Sequence, residues 1–454
     1  MKKFFSSTTG PVVLLSLGTF LEYFDLNLFQ HMTIIFNQLF FPVYDARIQA
    51  IIDTNTFVLP YLLRPLGMIF FGIIGDKYGR KSVIIWTTCA MSISCIVMGS
   101  LPTYAEIGIS AGILMIICRS IQSFSSGSER VGAEVYLTEI TQVPIKFPLV
   151  SCISWITGVS AMAALAFCEF ILSHETHADS WRYAFYAGAV VAIIGAIARS
   201  QLSEPKIFLE HKKRHAKIIA AQKDNMYQKE TTEYGYKHFS IFNIPIERSA
   251  SIAFFFVQCI YPIGSYLLYS HMAFLLKSTY QWTPLQIIQS SHTITNIEFG
   301  MLSLMTILSY YVHPLKILKW NFVSFALFMV VYPFLLTQIT SGEELHQVRI
   351  LFGFVMLGAS PALPIFYEYF PIGTRLTHSS TIYATARAAM YFITGNVIMF
   401  LIDYWNFMAI YVIVVPLTIA YYLGLRYFTK LEIERGHYAK GWLAAQRTKI
   451  KFHQ

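Results

Sequence analysis

The stretch from Thr54 to Lys81, TNTFVLPYLLRPLGMIFFGIIGDKYGRK, constrains the chain more than any other. It is an apolar run of helix length with one arginine, Arg64, in its middle. It ends in a compact polar turn, Gly72-x-x-x-Asp76-Lys77-x-Gly79-Arg80-Lys81. About 20 apolar residues at ~1.5 Å rise match a hydrocarbon layer ~30 Å thick, so the stretch reads as a membrane span stopping in a charged interfacial loop. Gly72 and Gly75 leave a smooth face on which another helix packs closely, and Gly79 supplies a corner with φ > 0. Asp76 and Arg80 then become neighbours at the membrane surface. A loop that only sets topology needs lysine and arginine, whereas the acid and the paired glycines point to a gate.

The rest of the chain shares this solvent. Of the 454 residues 55% are hydrophobic and only 13% charged, and the mean hydropathy is +0.51, which excludes a soluble globular protein and requires a polytopic membrane protein. The formal net charge of +9 collects in a few loops and the tail, so no nucleic-acid partner is needed to explain it. Six cysteines, Cys89, Cys95, Cys118, Cys152, Cys168 and Cys259, fall inside apolar runs without metal-ligand spacing and read as buried thiols. Neither a metal nor a cofactor is expected. The N-terminal run behind Lys2 and Lys3 is span-length and continues into acids, so it reads as a retained first span rather than a cleaved signal.

Twelve apolar runs follow one another, at roughly 11–40, 54–75, 82–101, 107–128, 147–173, 182–203, 249–276, 285–312, 316–338, 346–370, 377–402 and 406–429. One long polar segment, 204–248, separates six runs from six. The expected division is an N-terminal half at 1–203, a cytoplasmic linker at 204–248, a C-terminal half at 249–430 and a basic cytoplasmic tail at 431–454. Lys and Arg alternate with basic-poor loops such as HETHAD and SGEELH, which places both termini in the cytoplasm. The tail is weakly amphipathic and reads as a surface helix on the inner leaflet.

Ionisable residues inside spans are costly and mark function by default. Glu22 and Asp25 stand three residues apart on one face of the first span, and a carboxyl removed from water holds a proton more readily. Each acid reads either as a proton carrier or as the partner of Arg64 or Arg119. In the fourth span Arg119, Gln122, Ser126, Glu129 and Arg130 form one polar stripe on an apolar helix, which must face a cavity or a partner helix. In the eleventh, Arg387 lies near mid-membrane with Tyr383 and Tyr391 four residues to either side. Glu298 in the eighth span offers Arg387 a neutralising partner, because a buried arginine needs a carboxylate or an anionic ligand. Tyr261, Tyr266, Tyr269 and His271 in the seventh span, beside Pro262 and Gly264, are further candidates for a cavity wall.

Several of these stretches carry a resemblance. GIIGDKYGRK resembles the loop between the second and third helices of the major facilitator superfamily. Arg64-Pro65-Leu66-Gly67 and Phe71-Gly72 are similar to its metabolite:proton symporter branch, which includes proline/betaine, citrate and dicarboxylate carriers. Glu22 to Asp25 resembles the branch's Glu-aromatic-aromatic-Asp signature, implying ion coupling. Arg119 to Glu129 resembles its Arg-x-x-Gln-Gly-x-x-x-Gly-Gly-Glu pattern, with Ser123 and Ser128 in place of glycine. Trp181-Arg182, Arg199, Ser203-Glu204-Pro205 and Phe208 continue the match, and Glu368-Tyr369-Phe370-Pro371 with Arg375 resembles the element entering the eleventh helix. The loop SYYVHPLKILKW lacks the Gly/Asp/Arg turn that usually repeats between the eighth and ninth helices.

The resemblance implies an all-α membrane protein of twelve transmembrane helices in two six-helix halves, with a substrate site between the halves. The expected function is proton-coupled uptake of a small carboxylate-bearing or zwitterionic metabolite across a bacterial inner membrane, by a monomer. Proton coupling is expected at Asp25 and Glu22. Substrate contacts are expected from Arg64, Arg119, Gln122, Arg387, Tyr383, Tyr391, Tyr266 and Glu298, and gating from Asp76, Arg80, Glu129, Arg130 and Arg375. A proton-driven exporter of amphipathic compounds and a sensor without flux are the alternatives. No nucleophile–base, metal or phosphate-binding pattern suggests an enzyme.

Overall fold

The computed structural model describes residues 9–41, 61–74, 80–125, 128–173, 181–200, 248–372 and 374–438. Among them there is no strand. In chain order the helices are α1 (Thr9–Phe40), α2 (Tyr61–Ile74), α3 (Arg80–Ser100), α4 (Ile109–Ile140), α5 (Lys146–Ser173), α6 (Arg182–Ser200), α7 (Arg248–Ser278), α8 (Pro284–Tyr311), α9 (Pro314–Gln338), α10 (Gly342–Tyr367), α11 (Arg375–Ile402) and α12 (Ile410–Glu434). They fall on the apolar runs in register. Seven of them, α4, α5, α7 and α9 to α12, are long and apolar enough to cross a membrane. α12 continues through Glu434, past the boundary expected at 430. The linker, the loop at 174–180, Gly75 to Gly79 with Asp76, the chain beyond 438 and the side chains of Arg80 and Glu129 lie outside the described residues.

Local sequence sets where the helices start. Thr283 accepts from the Gln286 amide while the Gln286 side chain accepts from the Thr283 amide, and Pro284 opens α8; Ser341 and Glu344 build the same box at α10. Arg182 donates to the carbonyls of Gly99 and Leu101 at 3.1 and 2.7 Å, satisfying the last turn of α3 from the start of α6. Beside it Trp181 packs edge-on to Phe36, Phe40 and Phe185.

Outward faces are apolar. Ile109, Ile113, Ile117 and Ile121 of α4 are exposed at four-residue spacing, while Cys118, Arg119 and Gln122 of the same helix are buried. This inverted pattern suits a hydrocarbon solvent. α3 packs on α6, and α1 on α5 and α6; on the other side α7 packs on α11 and α12, and α8 on α10. The two groups meet along α5 and α8, where Ser151 bonds Thr306 at 2.8 Å and Trp155 donates to Ser303 at 2.9 Å. Close approach needs glycine at Gly67, where a Cβ would stand 1.9 Å from the Phe124 carbonyl oxygen, so α2 lies backbone to backbone on α4.

Three helices of the second group are irregular at mid-length. α7 carries Pro262 and then a π-turn at Tyr266–His271, α11 a π-turn at Ile393–Ile398, and α10 opens after Val355 before a 3₁₀ turn at Ser360–Ala362. Unwound backbone at membrane depth is tolerated where it lines a polar cavity, and π-turns gather at functional sites.

Candidate functional site

A cavity of about 210 Å³ lies where the irregular stretches of α7 and α10, with the regular part of α11, face α1, α2, α4 and α5. Tyr23, Asn27, His31, Tyr61, Arg64 and Arg130 line it from the first group, and Tyr261, Tyr269, Glu298, Tyr383, Arg387 and Tyr391 from the second. Six of the eight expected substrate contacts divide into those at the wall and those near it. Arg64, Arg387, Tyr383, Tyr391 and Glu298 are at the wall, while Tyr266 lies behind it, buried with Tyr391 and packed with Tyr61.

Arg64 lies 4.6 Å from the Tyr61 ring centroid, and Arg387 4.2 Å from Tyr383 and 5.0 Å from Tyr261. Neither arginine has a carboxylate partner among the described residues, and the Nε atoms of both are buried without a hydrogen-bond acceptor. The expected Glu298–Arg387 pair does not form. Tyr269, positioned by the π-turn of α7, donates to Glu298 Oε2 at 2.8 Å and holds the carboxyl on the α7–α8 side, leaving Oε1 without a partner.

Arg119 and Gln122, the other two expected contacts, are not at the wall. Arg119 donates to Gln122 Oε1 at 2.6 Å and stands 3.7 Å from Asp25, with its guanidinium 3.7 Å over the Phe29 ring. Gln122 Nε2 donates to Asp25 Oδ2 at 3.0 Å, and the Cys95 thiol donates to Asp25 Oδ1 at 3.2 Å. A Cβ at Gly188 would stand 3.2 Å from the same oxygen, so α6 closes over the carboxylate. Asp25 thus sits in a sealed cluster of α1, α3, α4 and α6. Glu22, also buried, is on the same helix one turn away.

Arg130, expected in a gate, lines the cavity. It donates to Glu134 and Ser154, each at 2.9 Å, and to the hydroxyls of Tyr23 at 3.2 Å and Tyr383 at 3.4 Å. Below it the two helix groups are tied together: Tyr367 donates to Glu134 at 2.6 Å, Arg375 pairs with Glu139 at 3.3 Å, and Lys146 pairs with Glu368. Gly72 of α2 faces Thr377 of α11 at the same end. At the opposite end Glu169 ties the groups by bonds with His292 and Gln289, at 3.2 and 3.1 Å.

Sequence reasoning passed over Glu134 and Arg349. Glu134 is fully buried between Arg130 and Tyr367. Arg349, also fully buried, donates to Ser290, Ser291 and the Leu268 carbonyl and braces the π-turn of α7 against α8 and α10. Both are charges inside spans, so the criterion that selected Glu298 also selects them.

A bundle of membrane-length helices with unwound segments around a central polar cavity, tied shut at one end, has the architecture of secondary transporters. The sequence model of the Major Facilitator Superfamily matches residues 15–343, and the chain belongs to that family. Over 200 residues it is 35% identical to the proline/betaine transporter of Salmonella typhimurium and 34% identical to the glycine betaine/proline/ectoine/pipecolic acid transporter OusA of Dickeya dadantii. In each case the match spans 43% of this chain and 40% of the relative's length. The fold is similar to that of the proton:xylose symporter XylE of E. coli, with a TM-score of 0.71 at 14% identity over 93% of this chain and 95% of that one. It is also similar to the human organic anion transporter MFSD10, with a TM-score of 0.62 at 14% identity over 92% and 99%.

Proposed function

We propose that the protein is a secondary active transporter of a bacterial inner membrane, built as two six-helix halves at 1–203 and 249–430, that couples uptake of a small carboxylate-bearing or zwitterionic metabolite to proton entry. The observation that carries this reading is the central cavity with Arg64 and Arg387 facing it and, among the described residues, no acid paired with either. A fixed guanidinium in a poorly solvated cavity is relieved by an anionic group on the ligand, and its fork matches a carboxylate with two parallel hydrogen bonds. A volume of about 210 Å³ is below the range of drug-sized sites, which supports a small metabolite over the amphipathic substrates of an exporter. The names of the Salmonella and Dickeya relatives point the same way.

With basic loops cytoplasmic, the end sealed by Glu139–Arg375 and Lys146–Glu368 is the cytoplasmic one. Opening it requires those pairs and the Tyr367–Glu134 bond to part, which is the inward half of alternating access. Asp25 is the first choice for the coupling proton: protonation weakens its pairing with Arg119 and Gln122 and so ties proton uptake to the packing of α1 on α4.

The test is uptake into proteoliposomes with and without an imposed pH gradient. Asp25→Asn or Glu22→Gln at the coupling position abolishes concentrative uptake and spares exchange, because exchange needs no net proton movement. Gradient-driven uptake retained in both variants but lost in Glu298→Gln moves the proton to the cavity acid, and binding without flux in the unaltered protein favours the sensor.

A further inference from the structure

The cavity's charges also define the kind of carboxylate it takes, an inference that rests on the transport reading. Among the described residues the ionic groups at the wall, His31 aside, are Arg64, Arg130, Arg387 and Glu298. Arg130 is offset by Glu134 at 2.9 Å. Glu298 is held by Tyr269 and pairs with no arginine. Arg64 and Arg387, 4% and 7% exposed, remain as two fixed positive charges in one small space. Tyrosine faces under each guanidinium offset only part of what an ion loses on leaving water.

The two arginines stand along one line of contacts. Arg64 lies over Tyr61, Tyr61 packs against Tyr391 with centroids 4.5 Å apart, and Tyr391 is one turn of α11 from Arg387. Each guanidinium is a separate fork, and each fork matches one carboxylate. Charge balance agrees. Two arginines against an ionised Glu298 leave an excess of one positive charge; against a protonated Glu298 they leave two. A zwitterion with one carboxylate and one cationic nitrogen has no net charge, so it leaves that excess in place. A dicarboxylate with an ammonium group balances the ionised state, and a dicarboxylate with a hydroxyl balances the protonated one. In both, the third group meets Glu298 Oε1, a buried carboxyl oxygen at the wall without a hydrogen-bond partner: an ammonium donates to the ionised carboxylate, and a hydroxyl accepts from the protonated one.

We propose that the substrate is a small dicarboxylate carrying a hydroxyl or amino group, with one carboxylate on Arg64, the other on Arg387, and the hydroxyl or amino group on Glu298. Arg64 reaches from the first helix group and Arg387 and Glu298 from the second. Such a molecule therefore bridges the surfaces that move apart.

The experiment is competitive counterflow with the full-length protein in proteoliposomes, using L-malate, L-aspartate, succinate, monomethyl malate, proline and glycine betaine as probes. Malate or aspartate exchanges, the monomethyl ester of malate competes at least tenfold less well, and succinate, lacking the hydroxyl or amino group, is also at least tenfold weaker. The advantage of malate or aspartate over succinate disappears in Glu298→Leu, which leaves no polar group at that position for the hydroxyl or ammonium. Arg64→Gln and Arg387→Gln each weaken dicarboxylate competition at least tenfold; where one fails to reach the membrane, Arg64→Lys or Arg387→Lys carries the test. Equal competition by the monoester overturns the proposal. So does exchange of proline or glycine betaine with the dicarboxylates inert, an outcome that leaves the transport reading standing. Exchange of none of these compounds overturns both.

Discussion

Two buried clusters in this protein use the same residue types and arrive at opposite arrangements. Between α1, α3 and α4, Arg119 is 3.7 Å from Asp25, and Gln122 and Cys95 complete the carboxylate's partners. Around the cavity, Arg64 and Arg387 lie on tyrosine rings, and Glu298, the one acid among the described wall residues, is held by Tyr269. An arginine deep in a span is therefore not a ligand by virtue of depth. It is neutralised internally where an acid is brought to it, and it awaits an anion where aromatic faces keep acids away.

The largest expected effect tests that contrast through stability. Arg119→Leu strands the Asp25 carboxylate and lowers stability by about 3–5 kcal/mol, and Asp25→Asn added to it recovers most of the loss. Arg387→Leu strands no acid and costs far less. The measurement is the thermal unfolding midpoint of the detergent-solubilised protein; an equal drop in Arg387→Leu breaks the distinction.

The next effect is on affinity. Arg64→Lys and Arg387→Lys raise the apparent KM by tenfold or more, about 1.4 kcal/mol, since an ammonium cannot make the bidentate contact. Arg119→Lys stays within about threefold of the unaltered protein, roughly 0.6 kcal/mol. A larger shift in Arg119→Lys than in the other two transfers the ligand role to the sealed cluster.

The smallest effect sharpens the comparison by opening one region alone. Glu368→Gln removes a partly exposed pair with Lys146, about 0.2–1 kcal/mol, and shifts the balance towards opening at that end. A cysteine placed at Thr157 on the cavity wall then reacts faster with a membrane-impermeant thiol reagent applied from the Lys146 side. Cys95, 1% exposed, stays unreactive when the other native cysteines are serine. A parallel rise at Cys95 joins the two clusters into one accessible space.

How far the site was readable differs from residue to residue. Arg387 with Tyr383 and Tyr391 was legible because helical spacing alone puts them on one face, and α11 presents all three to the cavity. Arg130 was expected in a gate, and its place at the cavity wall could not be read from the sequence: Tyr23, Ser154 and Tyr383 converge on it from three other helices, and no spacing within α4 encodes that. Glu134 and Arg349 carried the same signal as Glu298, a charge within a span, and their partners Tyr367, Ser290 and Ser291 are supplied by distant segments.

By itself the sequence determined the solvent, the order of the helices and the stock of intramembrane charges. Hydropathy and helical period are local, and a bilayer forces lipid-facing backbone in a span to be satisfied within its own helix. The polar turn after α2, with the motifs that follow, was enough to indicate the superfamily. Which arginine meets which acid was decided only by the tertiary structure. Pairing depends on side chains brought together from segments far apart in the chain, such as Asp25 with Gln122. It also depends on the π-turn of α7, which puts Tyr269 rather than Arg387 against Glu298. At these depths a partner near enough to form an ion pair changes an arginine's energy by several kcal/mol, so packing, rather than residue type, assigns its role.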